Sequence, residues 1–426
     1  MKKSIFLLLL VSSPATFAQK INKIINAKEV ERVEKILSSD DMQGRAVFTP
    51  GIDKAADFIS SEFKKTGLKT FSGANDYRQS FFMLKPTQQS LSATADGQNI
   101  TEKNVIVVTT KEDLSINGTS SFEQVAIKAG DNFFGKAYEY ISNQKDYIII
   151  VDTSFAKNFP RLQFFKRQVN PTKSSVVFLL AATTPSSYSI AAKHSFDTLK
   201  LANVVGVLPG KSKPEEFVIF SGHYDHLGIG KAENGDSIYN GANDDAAGTT
   251  AVIMLAKYFK KINNNERTII FAAFTGEESG GFGSKYFSEQ LDPAKVMAMF
   301  NIEMIGTDSK WGNNSAYITG YEKTDMGKIL EKNLEGSVFK FYPDPYTEEN
   351  LFYRSDNATL ARLGVPAHTI STSKMDSEPN YHKASDEIGT LDMNNMAEII
   401  KAIAISSSSI IAGKDTPSRV DTSELK

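Results

Sequence analysis

The chain has 426 residues, no cysteine and a formal charge of −2, with 48 Lys+Arg against 50 Asp+Glu. The absence of cysteine excludes thiol nucleophiles, disulfides and a lipid-anchor cysteine, and the balanced charge offers no basic field to attract nucleic acid. Such a length exceeds the roughly 250–300 residues that one hydrophobic core covers, which predicts a large domain with a smaller one.

At the start, Lys2 and Lys3 precede an apolar run from Ile5 to Val11, and the small residues Thr16 and Ala18 follow. That pattern predicts a signal peptide over residues 1–18, and its removal takes the charge from −2 to −4. The run is far shorter than the roughly 20 apolar residues that span a bilayer, and no later stretch reaches that length, so no membrane anchor is expected. The protein is therefore expected to be exported, to the periplasm or out of the cell.

Ile52, Ala55, Ala56, Ile59 and Phe63 recur at the three-and-four spacing of an amphipathic helix. Between residues 86 and 199 the texture changes to short Val/Ile-rich runs, NVIVV, DYIIIV and SSVVFLL, separated by polar turns, which predicts an inserted strand-rich subdomain. After Val204 strands and helices alternate: EFVIFSG, a helix over 246–259, RTIIFAAF, VMAMFNIEM and GVPAHTIS, closed by a helix from Met393 to Ile411. Within the first of these helices Val252, Leu255, Ala256 and Phe259 are expected to face the sheet. Alternation of this kind predicts an α/β fold, with a mixed, mostly parallel central sheet and helices on both faces. Residues 19–85 and 200–412 then form the main domain, and 413–426 a solvated polar tail.

Five segments of this domain carry candidate chemistry. In SGHYDHLG, His223 follows a strand, where ligand sites of open α/β sheets gather; it could bind a metal while Asp225 fixes its ring. Alone, a His-x-Asp triplet is more often a surface pair. In NGANDDAAG a single acid would suffice to cap the following helix, so the second of Asp244 and Asp245 is free to bridge two ions. In FTGEESGG, the adjacent Glu277 and Glu278 can point to different sides, one toward a metal and one serving as general base. Glu303 sits in the apolar run FNIEMIG, where an unpaired carboxylate is costly. NYHKASDE places Tyr381, His382 and Asp386 after the last strand. Every one of these lies at a strand end or helix start, so all can meet at one sheet edge. Two histidines and three carboxylates suit zinc, with manganese or cobalt as substitutes.

Taken in order, GHYDHLG, GANDDAAG, GEE, NIEMIG and YH resemble the di-zinc aminopeptidase family, which includes glutamate carboxypeptidases and glutaminyl cyclases. The likeness covers about residues 200–412, and LSSDDMQGR and TPGIDKAADFI are similar to the amino-terminal part of exported bacterial members. The insert is faintly similar to a protease-associated domain. This resemblance implies one zinc on His223, Glu303 and a bridging Asp244, and a second on Asp244, Glu278 and His382. It makes Glu277 the general base and Tyr381 the group that steadies the oxyanion, with peptides as substrates. Glu303 stands where Asp is commoner in aminopeptidases. Arg354, Ser355 and Asp356 resemble a substrate-contacting loop, with capping of the helix from Ala358 as the simpler role. The expected activity is removal of amino-terminal residues; carboxypeptidase action, glutaminyl cyclisation and a catalytically silent binding protein are the alternatives.

Overall fold

A computed structural model describes residues 20–425 apart from 168, 170 and 172, so the expected signal peptide lies outside the described residues. Among those described, no helix is long and apolar enough to cross a membrane. The chain divides into two compact units, one running up to Ser80 and resuming at Ala202, the other Phe81–Leu201.

The first unit opens with helices α1 (Ala27–Leu37) and α2 (Pro50–Thr66). Asn26 caps α1 by accepting the Glu29 N–H, and α2 stops at Gly67, whose φ of 77° lets its N–H return to Phe63 and Lys64 carbonyls. The insert contributes strands β1 (Arg78–Ala95), β2 (Val105–Val108), β3 (Asp113–Asn117), β4 (Glu123–Ile127), helix α3 (Phe133–Ser142), β5 (Tyr147–Val151), β6 (Val176–Leu180) and β7 (Tyr188–Leu208). Strands β1 and β7 also reach into the first unit at the ends nearest it. There follow β8 (Lys213–His223), a hairpin β9 (Gly228–Glu233) and β10 (Asp236–Tyr239), α4 (Ala247–Ile262), β11 (Arg267–Phe274), α5 (Phe282–Glu289) and β12 (Val296–Ile302). The last elements are β13 (Ser315–Ile318), α6 (Met326–Leu334), β14 (Lys340–Pro343), α7 (Asn357–Ala361), β15 (Ala367–Ser371), α8 (Met393–Ser406) and α9 (Ser408–Ile411).

In the first unit the strand order is β14-β13-β15-β12-β8-β11-β7. Pairs β8–β11, β8–β12, β12–β15 and β13–β14 are parallel, while β13–β15 and β11–β7 are antiparallel, so the sheet is mixed as expected. Side chains alternate across it: Val218 and Phe220 enter one core with α1, α2, α4, α6 and α8, and Ile219 enters the other with Phe287 of α5 and Leu360 of α7. Burial on both faces is why RTIIFAAF reads as an unbroken apolar run. Phe220 stacks on Phe259, Phe271 and Phe300 at centroid distances of 5.5, 5.9 and 5.0 Å, joining α4 to three strands. Helix α4 is buried from Ala247 through Ala256, not only on its sheet side, because α1, α2 and α8 pack over it. Nor is the carboxyl-terminal tail fully solvated: Arg267 donates to the Asp415 carbonyl at 2.7 Å, Arg419 donates to the Val296 carbonyl, and Val420 is buried.

Taken by itself, the second unit has a four-stranded sheet, β2-β6-β5-β4, with β4–β5 and β5–β6 parallel. One face packs on Phe133 and Ala137 of α3 and on Phe159 and Leu162. The other packs on Leu91, Leu114, Ile116 and Ile190.

Glu62 of α2 is buried among Arg32 (2.7 Å), Lys257 (2.7 Å) and Lys65 (3.0 Å). Burial opposes its ionisation, but the hydrogen bonds from these three cations win and hold its carboxyl at about 2. A depressed value stabilises the fold above the unfolded pKa of roughly 4.3 and is lost as pH falls toward 2. After allowance for the solvent-exposed partners, wild type should exceed Glu62→Gln by about 1–2 kcal/mol at pH 7. Urea titrations at stepped pH should show the gap closing below about pH 4.5; a gap that ignores pH would refute the ion-pair account.

Candidate metal centre

Four parallel strands of the first unit deliver the site. His223 ends β8, Glu277 and Glu278 lie in the turn after β11, Glu303 directly follows β12, and His382 lies in the loop after β15. The bridge between β8 and α4 adds Asp244.

His223 is buried, with Nδ1 3.1 Å from the Asp225 main-chain carbonyl and Nε2 3.2 Å from Asp244 Oδ1. The expectation that the Asp225 carboxylate fixes this ring is corrected: its nearer oxygen is 3.9 Å away, and the carboxylate accepts the main-chain N–H groups of Glu277 (3.1 Å) and Glu278 (3.3 Å) instead. Two convergent donors outcompete one imidazole, so Asp225 shapes the turn that presents both glutamates. Burial pushes its own carboxyl up to about 6.

The two successive acids divide their tasks. Asp245 serves as the cap, accepting from the N–H of Gly248 at 2.9 Å, and also from those of His223 and Met304, both at 3.1 Å. Asp244 turns into the site and uses both oxygens, Oδ1 toward His223 and Oδ2 toward His382 Nε2 at 3.2 Å. Asp386 holds this bridge by accepting the N–H groups of Asn243 (2.8 Å) and Asp244 (3.0 Å). Burial works against Asp244 ionisation, yet its contacts with His223 and His382 draw the carboxyl well below the usual range.

Glu278 places Oε1 2.8 Å from His226 Nδ1 and Oε2 3.2 Å from His382 Nε2. Two trios result, each with ligand atoms within 4.8 Å of one another: His223, Asp244 and Glu303, and His226, Asp244 and Glu278. Asp244 belongs to both. His223 Nε2, Glu278 Oε1 and Glu303 Oε2 are buried without a hydrogen-bond partner. Atoms left in that condition cost free energy, and divalent ions shared through Asp244 would satisfy them; the donor set fits two such ions. Burial pushes Glu303 up to about 7 and Glu277 well above its ordinary value, as expected where acids crowd with little water. The Tyr381 ring stacks on His382 at 3.9 Å, with its hydroxyl 3.5 Å from Arg354 Nη2.

The structure thus gathers His223, Asp244, Glu278, Glu303 and His382, with Tyr381 stacked on His382 and Glu277 held by its main chain on Asp225, and others join. His226 is one; as the second histidine of HYDH, it is a signal already present in the sequence. Asp356 makes no capping bond to α7 and lies buried, its carboxyl pushed up by burial, so the capping role expected for it does not hold. Arg45 is another. Wholly buried, it donates to the carbonyls of Tyr224 (2.8 Å), Leu37 (2.6 Å), Asn240 (2.6 Å) and Gly241 (2.9 Å), tying together the two ends of the segment between His223 and Asp244.

Residues 203–406 match the profile of peptidase family M28. Among curated proteins, a "Probable leucine aminopeptidase" of Trichophyton verrucosum (strain HKI 0517) is 29% identical over 209 residues, 47% of this chain and 54% of the relative. A "Probable zinc metalloprotease" of Pyricularia oryzae is 34% identical over 122 residues, 28% of this chain and 24% of the relative. The chain therefore spans about half the length, or less, of these two curated relatives. Two solved structures share the fold: the aminopeptidase from Aneurinibacillus sp. strain AM-1 (TM-score 0.55, 16% identity, 96% of this chain and 98% of that one) and a zinc aminopeptidase from Bacillus subtilis (0.54, 16%, 92% and 97%). The M28 segment includes every ligand candidate, whereas Arg45 lies before it.

Arg45→Met would strand four carbonyls and remove the buried charge. Urea unfolding should show a loss of at least about 3 kcal/mol; a loss below about 1 kcal/mol would mean that the carbonyls find other donors.

Proposed function

We propose that this chain is a zinc-dependent exopeptidase that binds two ions and removes amino-terminal residues from peptides. The observation that carries the reading is Asp244, whose two oxygens face two separate groups of donors. Bound zinc supplies Lewis acidity and brings the pKa of water to about 7. Glu277 takes the proton from the attacking water and delivers it to the departing amine; burial has already raised its affinity for that proton. The Tyr381 hydroxyl, close to the site on the ring stacked against His382, donates to the carbonyl oxygen as negative charge develops there.

A small cleft adjoins Glu303 and is lined by Met304, Tyr317, Leu351, Met375 and Tyr381 together with polar Thr319, Ser355, Thr369 and Ser371. Its apolar residues, Met304, Leu351 and Met375, favour an apolar side chain at the substrate's first residue. Arg354 lines the same cleft and supports a second reading, carboxypeptidase action, in which its guanidinium would pair with a free terminal carboxylate. The charge and apolar pattern of residues 1–18 supports export to the periplasm or the medium.

Purified protein should cleave peptides with a free amino terminus and lose activity in chelator. Glu277→Gln should keep its zinc but lose about 10²–10⁴-fold in kcat. Cleavage of amino-blocked peptides with free carboxyl ends would instead establish the carboxypeptidase reading. Cyclisation of amino-terminal glutamine would establish a cyclase, and metal-free protein inert on every peptide would sink the enzyme reading altogether.

A further inference from the structure

The reading above needs five ligand residues, yet a third histidine stands at the centre. This inference rests on that reading. His226 is buried, three residues beyond His223, and its ring lies against the loop that returns toward Asp244. Gly241 makes room for it: a Cβ there would fall 2.4 Å from the His226 ring, and the φ of 54° is one that a side chain would resist.

His226 Nδ1 lies 2.8 Å from Glu278 Oε1 and 4.0 Å from Asp244 Oδ2, while His382 Nε2 lies 3.2 Å from both Asp244 Oδ2 and Glu278 Oε2. Zinc bonds of about 2.0–2.1 Å in a tetrahedron set neighbouring donor atoms roughly 3.3 Å apart, and the four distances straddle that spacing. Nδ1 and Oε1 stand 2.8 Å apart, and both atoms are buried without a hydrogen-bond partner. Donors that face one another without bonding are arranged for something between them.

We propose that His226 is a sixth metal ligand, so that one ion is held by four side chains, His226, His382, Asp244 and Glu278, and its neighbour by three, His223, Glu303 and Asp244. The four-ligand ion is the more tightly held of the two. Three of its ligands are buried or nearly so, and His382, 37% exposed, is the side from which it can be reached.

Zinc K-edge absorption on the wild-type protein, loaded to two ions, counts imidazoles directly. Three imidazoles per two ions are expected, and two would overturn the proposal. Stepwise removal by a competing chromophoric chelator should release one ion readily and the other at least tenfold less readily. In His226→Gln, checked for native circular dichroism, the retained ion should weaken by at least tenfold and the cobalt-substituted spectrum should change. A variant that keeps wild-type affinities and spectrum would reduce His226 to packing. Should the variant fail to fold, the wild-type imidazole count still decides. Wild type that binds no zinc would bring down the exopeptidase reading itself, whereas a two-zinc peptidase with two imidazoles would bring down only the sixth ligand.

Discussion

Repulsion among carboxylates is the constraint that the rest of the molecule answers. Asp225, Asp244, Asp245, Glu277, Glu278, Glu303, Asp356 and Asp386 share one pocket, and burial raises the pKa of most of them. Hydrogen bonds from main-chain N–H groups neutralise some of this: Asp225, Asp245 and Asp386 each accept two or more, and each thereby fixes a loop. Arg45 contributes in another way. Its donors are spent on carbonyls, so it pairs with no single acid, yet its charge is felt by Glu34, Asp386, Asp225 and Asp244. Asp244, Glu278 and Glu303, left without main-chain donors, face the three histidines, and there bound cations would complete the balance.

The edge that carries the donors is legible because parallel strands put all their carboxyl ends on one side. Once EFVIFSG, RTIIFAAF, VMAMFNIEM and GVPAHTIS read as strands, His223, Glu278, Glu303 and His382 are expected to gather, and the structure brings them together around Asp244. Contacts that depend on main-chain atoms were not legible. The His223 ring is fixed by a carbonyl two residues on, and residue types carry no record of that choice. Arg45 is separated from Tyr224 by 179 positions and looks like a surface cation in LSSDDMQGR; only the folded chain shows four carbonyls around it. His226 differs again: its residue type is informative, but nothing in the sequence shows that its ring turns inward to Glu278.

The insert shows the opposite failure. Its buried strands β2, β5 and β6 stand out as VIVV, YIIIV and VVFLL, since both of their faces are covered. Strands β1 and β7 are much longer yet read as polar connections. Within the insert they cover a core with one face only, through Leu91 and Ala93 or Ile190 and Ala192, while alternate positions carry Gln, Ser, Lys and Thr to solvent. A half-covered strand keeps period-two patterning, but its polar half resembles a turn-rich loop.

Close backbone approach completes the site's geometry. A Cβ at Gly248 would fall 2.1 Å from the Ile302 carbonyl oxygen, and one at Gly222 would fall 2.9 Å from Asp245 Oδ2. Those two glycines let the first turn of α4 settle against the ends of β8 and β12, with Asp245 donated to by both sides. Glu303 emerges from the same strand end, its N–H committed to the Ile370 carbonyl, so its main chain is pinned by β15. With that backbone held, the choice of acid governs how far the carboxylate reaches, and a Glu extends about 1.5 Å beyond an Asp. Its oxygen nonetheless falls within 4.8 Å of the His223 and Asp244 donors. A tightly tethered strand end with a long acid thus meets the same donors while its side chain also lines the cleft beside Met304 and Tyr317. Carboxylate reach and cleft shape are set by one residue, so a change of acid at this position would alter the donor cluster and the cleft together.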